Sequence, residues 1–138
     1  MSAAENTQLV QKAYAAFGRG DIPALLDLLD ENVVWRAVTG AGPQVPTAGE
    51  RRGRREVGEF FRVLGESIVF QQFEPRRFVA ENDTVVALGQ YRATAKPGGS
   101  FDSDWVMVFT VRNGKITNFQ EFTDSAALNA AFEPARVA

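Results

Sequence analysis

Apolar residues Leu9, Val10, Ala13, Tyr14 and Phe17 recur at helical spacing between polar neighbours, which predicts an amphipathic helix from Glu5 to Gly18. Gly18-Arg19-Gly20 stops it. Asp21 then stands as a cap for a short second helix, with Pro23 in its first turn and Leu25, Leu26, Leu28 and Leu29 facing inward. Val33 to Val38, β-branched and aromatic at its start, predicts a strand presenting Val33, Trp35 and Ala37 to one side. Thr39 to Gly53 contains four Gly and two Pro, so a loop is expected there, either a lid or a plain surface excursion. A third helix follows from Arg55 to Gly65, with Val57, Phe60, Phe61 and Leu64 on its buried stripe.

The period then shortens to two. Ser67 to Phe73, Arg76 to Glu81 and Thr84 to Lys96 read as successive strands, punctuated by Glu74-Pro75, Asn82-Asp83 and Pro97-Gly98-Gly99. Phe101 to Asp124 predicts two more, joined by a tight turn at Asn113-Gly114. In a regular hairpin Trp105, Met107, Phe109 and Val111 share a face with Thr117, Phe119 and Glu121. One carboxylate therefore sits among apolar neighbours. The opposite face carries Asp104, Val106, Val108 and Thr110 with Asn118, Gln120 and Phe122, a mixed set suited to partial exposure or a partner sheet. The tail has Asp124 as a cap for a short closing helix packed through Ala127, Leu128, Ala131 and Phe132. Helices first and a meander afterwards make an α+β domain, with one domain expected over residues 1–138.

Composition removes several kinds of chemistry. The chain has no Cys and no His, which excludes disulfides, thiol nucleophiles, Ser-His-Asp catalysis and imidazole or thiolate metal sites. Carboxylates, Tyr, Lys and backbone groups remain for proton transfer. A formal charge of -2 supplies no basic field for nucleic acid, and no stretch has the length of a membrane span. The expected setting is soluble and cytoplasmic, with neither nucleic acid nor membrane as partner. Eleven Phe, two Trp and two Tyr point to an aromatic interior, as core or as cavity lining.

Two stretches carry a family resemblance. PTAGERRGRREVGEFF resembles, at Pro46, Gly49, Gly53, Val57, Phe60 and Phe61, the segment that leads into the third helix of SnoaL-like proteins. VRNGKITNFQEFTD is similar to their closing hairpin at Gly114, Lys115, Ile116 and Asp124. These proteins share a cone fold with ketosteroid isomerase, scytalone dehydratase and nuclear transport factor 2. The resemblance implies a curved antiparallel sheet wrapped around N-terminal helices, a hydrophobic small-molecule ligand and, together with the mixed outer face, a homodimer. It also implies that Glu121 stands where polyketide cyclases of this kind carry an acid/base Asp. Trp105 and Met107 stand where those enzymes carry a Gln and a His, so their mechanism does not transfer intact.

Glu121 is thus the catalytic candidate, a base or acid α to a carbonyl whose pKa an aromatic pocket would raise. Tyr14, Tyr91 and the indoles of Trp35 and Trp105 are candidate donors to an enolate, as is Arg36 if it turns inward. The bland alternative has Glu121 paired with an Arg or an indole N–H as interior satisfaction. Tyr14, Phe17, Trp35, Tyr91, Trp105, Met107, Phe109 and Phe119 are the expected pocket wall. Asp102 and Asp104 alternate to the face away from Glu121, so no metal site is expected. Arg51, Arg52, Arg54 and Arg55 are either an anion site or solvated residues ahead of a helix. The resulting reading is a cofactor-independent isomerase or aldol-type cyclase. Its rivals are a ligand-binding protein without turnover and an interaction module using the outer sheet.

Overall fold

Ser2 starts the first helix through a reciprocal cap: its hydroxyl accepts the Glu5 N–H at 3.1 Å, and the Glu5 carboxylate accepts the Ser2 N–H at 3.2 Å. The computed structural model describes residues 2–134, so residue 1 and residues 135–138 of the expected domain lie outside the described residues. Helix α1 (Ala3–Gly18) is followed by α2 (Ile22–Asp27), which Asp21 caps through Ala24 N–H. The second helix is shorter than its leucines suggested. Leu29 opens strand β1 (Leu29–Ala37) instead and is fully buried beside Ile116 of the last strand.

The expected loop after β1 contains a further strand, β2 (Gly49–Arg52), paired antiparallel with β1. Helix α3 (Gly53–Ser67) then leads into β3 (Ile68–Glu81), β4 (Thr84–Ala95), β5 (Ser100–Arg112), β6 (Lys115–Thr123) and α4 (Ser125–Ala131). Strand β3 runs unbroken through Glu74-Pro75, where two strands were expected. It lies at the sheet edge, where a proline's missing N–H is tolerated, and its register shifts between Pro75 and Arg77. The six strands order as β2-β1-β6-β5-β4-β3 in a curved, unclosed sheet. Every pairing is antiparallel except β1 with β6, which is parallel.

Asn113 and Gly114 have φ of 51° and 74°, as the two central residues of a type I′ turn require. Gly114→Ala is expected to cost about 1 kcal/mol, because a Cβ is disfavoured at positive φ; urea denaturation measures it. Across this turn Met107 opposes Glu121 and Phe109 opposes Phe119, but the register shifts between Thr110 and Val111. Val111 therefore meets Ile116, and fully buried Ile116 takes the interior place expected for Thr117. Asp124 caps α4 through Ala127 N–H at 3.1 Å, and Leu128, Ala131 and Phe132 are buried. Helices α1, α3 and α4 each pack against the sheet. Among the described residues no helix is long and apolar enough to cross a membrane.

Candidate functional site

Alternation along β6 turns Glu121 inward, opposite Met107, and leaves it 6% exposed. Its Oε2 accepts the Tyr91 O–H at 3.0 Å and its Oε1 accepts the Val38 N–H at 3.1 Å. Val38 follows the end of β1 at φ 47°, a strained conformation for a β-branched residue. That strain aims a backbone donor at the carboxylate, while the next amide, of Thr39, donates to the Glu121 carbonyl at 3.0 Å. Burial raises the Glu121 pKa, and the bonds from Val38 and Tyr91 oppose that rise without cancelling it.

Burial, reinforced by the Glu121 charge, also pushes Tyr91 and Tyr14 well above the ordinary phenol value, so both remain protonated donors. The Tyr14 hydroxyl points to Met107 Sδ at 3.0 Å. A thioether is a weak acceptor, so the Tyr14 hydroxyl is weakly engaged although its ring is packed among other aromatics.

Around these groups the walls are aromatic. Trp35 stacks on Phe119 with centroids 3.8 Å apart and is flanked by Phe60 and Phe61. Tyr14 meets Phe109 edge-on at 5.7 Å, and Phe17 lies 5.1 Å from Phe73. They enclose a partly open cavity of about 70 Å³. A sealed apolar cavity of ~150 Å³ takes a benzene ring, so a cyclic ligand here must use the open side as well.

Of the residues expected at the wall, Tyr14, Phe17, Trp35, Tyr91, Met107, Phe109, Phe119 and Glu121 line this cavity. Trp105 does not. It is buried behind the wall, its ring stacked near Tyr14 and Phe73 and seated over Gly89. The wall also includes Val38, Thr47, Phe60, Phe61, Phe70 and Phe73. Phe60 and Phe61 read as helix core in the sequence, and no local pattern marked Val38 or Thr47.

Arg36 turns outward and pairs with Glu50 at 2.9 Å, which removes it as a donor to the cavity. Three of the clustered arginines are engaged by the protein itself. Arg51 donates to the carbonyls of Pro46, Thr47 and Gly49 and lies 5.1 Å over the Phe60 ring, fastening the segment between β1 and β2. Arg52 pairs with Glu50 at 2.8 Å, and Arg54 donates to the Leu29 carbonyl at 2.8 Å. Asp102 and Asp104 lie on the exposed face, and no group of three metal-ligating residues occurs among the described residues.

The model of the SnoaL-like domain matches residues 10–119 of this chain. An NTF2-like protein of Burkholderia xenovorans is 32% identical with a TM-score of 0.86, over 96% of this chain and 99% of its own. TerC, co-crystallised with polyporic acid, is 26% identical with a TM-score of 0.82, over 93% of this chain and 98% of its own. A protein of Xanthomonas campestris assigned as a polyketide cyclase shares the fold at 22% identity and a TM-score of 0.77, over 95% of this chain and 98% of its own. No curated protein matches the chain.

Proposed function

Because the chain belongs to the SnoaL-like domain family, we propose that it is a cofactor-independent acid/base catalyst acting on a hydrophobic carbonyl compound, with Glu121 as the proton carrier. The observation behind this reading is a buried carboxylate, raised in pKa, that accepts from protonated Tyr91 and shares an aromatic cavity with protonated Tyr14. The Glu121 carboxylate removes a proton α to the carbonyl, and the C–H electron pair becomes the enolate double bond. Tyr14 leaves the Met107 sulfur and donates to the enolate oxygen. Tyr91 and Val38 hold the carboxylate in place. Return of the proton to a different carbon gives isomerisation; attack of the enolate on a second carbonyl gives an aldol-type ring closure. Aromatic walls keep water from quenching the enolate. TerC's co-crystallisation with polyporic acid supports a cyclic, oxygen-bearing ligand class.

The test is exchange of the α protons of 2-indanone for deuterium, followed by NMR. Exchange above the buffer rate is expected, and none at saturating ligand would refute catalysis. A second reading, binding without turnover, is favoured by one feature: both carboxylate oxygens already accept a hydrogen bond. Tight binding of 2-indanone with no exchange would select it.

A homodimer through the outer sheet face is part of the proposal. Arg77, Leu88, Val106 and Phe122 form one cross-strand row, and Val79, Val86, Val108 and Gln120 form the next. Phe122 is 42% and Val79 47% exposed, leaving an apolar patch suited to a second copy. Phe122→Asp is expected to shift the species seen in sedimentation equilibrium from dimer to monomer.

A further inference from the structure

Two polar groups of the cavity-lining residues have no hydrogen-bond partner among the described residues: the Trp35 indole N–H and the Thr47 hydroxyl. Trp35 is 5% and Thr47 1% exposed, so bulk water does not satisfy them. Buried polar groups are ordinarily paired, and two unpaired ones in one wall call for an explanation. They also belong to the same end of the site. Arg51 is the cross-strand neighbour of Trp35, and its guanidinium donates to the Thr47 carbonyl at 2.5 Å, so β1 and the fastened segment before β2 present both. Trp35 pairs with Phe119, two residues before Glu121 on β6, so this end of the wall adjoins the strand that carries the carboxylate.

We infer that Trp35 N–H and Thr47 O–H form a donor subsite for a second ligand oxygen, separate from the carbonyl polarised by Tyr14. The inference rests on the reading of the cavity as a ligand site. Trp35 can only donate, whereas Thr47 can donate or accept, so the pair suits a phenolic hydroxyl, a phenolate or a second carbonyl. The ligand is then a flat ring compound of the hydroxyketone or dione class, its second oxygen directed to the Trp35 and Thr47 end of the cavity. Arg51 is a positioning residue, because it fixes the backbone that carries Thr47.

The experiment compares 5-hydroxy-2-indanone with 2-indanone in NMR titrations of the wild type, Trp35→Phe and Thr47→Val. The wild type should bind the hydroxylated ketone about tenfold more tightly, corresponding to ~1.4 kcal/mol for one well-placed oxygen. Each substitution should erase that preference. No preference in the wild type, or full preference in both variants, overturns the subsite while leaving the cavity reading intact. Failure of both ketones to bind the wild type overturns both. Melting temperature gives an independent check, since Thr47→Val removes an unsatisfied hydroxyl and should leave stability equal or higher. A marked loss would show that the hydroxyl is already paired in the free protein and would also overturn the subsite.

Discussion

Glu121→Gln is expected to abolish deuterium exchange of 2-indanone, by at least ~10²-fold as befits loss of a positioned base. The variant should nevertheless be as stable as the wild type near neutral pH, or more so. Burial raises the folded-state pKa above the ordinary glutamate value of 4.5, so the folded protein holds a proton that the unfolded chain releases. The contribution of Glu121 to stability is therefore complete below about 4.5 and declines as pH rises through the raised folded value. A glutamine never ionises and escapes that decline. Melting temperatures of wild type and variant should accordingly separate, in favour of the variant, as pH rises above 4.5. Wild-type exchange should rise as pH passes through the raised folded value and the base form appears. Exchange retained by the variant would remove Glu121 from the chemistry, and a melting difference independent of pH would show that its carboxyl is not perturbed.

Gly89→Ala is expected to be the most damaging of the single-methyl additions considered. A Cβ at this position would collide with the Glu74 carbonyl oxygen and with the six-membered ring of Trp105. Gly89 lies between Pro75 and Trp105 in the sheet, and the indole occupies the space that a side chain would need. Neither neighbour can move easily, because one is backbone and the other is a fully buried ring. A loss of about 3 kcal/mol in urea denaturation is expected. Adding Trp105→Leu should recover part of it by freeing the ring side, leaving the clash with the carbonyl. A tolerated Gly89→Ala would mean that the strands can separate there.

The same glycine explains one error in the sequence reading. Alternation correctly turns Trp105 inward, yet only a residue without a side chain on β4 lets the indole sink into the sheet instead of facing the cavity. Strand periodicity and Asn113-Gly114 suffice to find the closing hairpin and put Glu121 with Met107, since both signals are local. They miss Ile116, because a register shift beside the turn reverses the alternation of Thr117. Strand β2, Gly-Glu-Arg-Arg, has no β-forming residue and exists because β1 offers it an edge. The partners of Glu121 are hidden for a different reason. Val38 contributes a backbone amide, and Tyr91 reaches the carboxylate from a strand two places away in the sheet, so only long-range register shows that it bonds Glu121.

The parallel pairing of β1 with β6 also governs how the molecule assembles. Strands β3 to β6 are consecutive and meet through short turns, so they can zip from local contacts. Val38 and Glu121 lie 83 positions apart, and their bond waits for the N-terminal segment to return across that span. In the folding transition state the meander, Tyr91 included, is then expected to be formed, and β1 to dock afterwards. Docking of β1 is then expected to be the step that brings the Val38 amide to Glu121 and takes its carboxyl out of water.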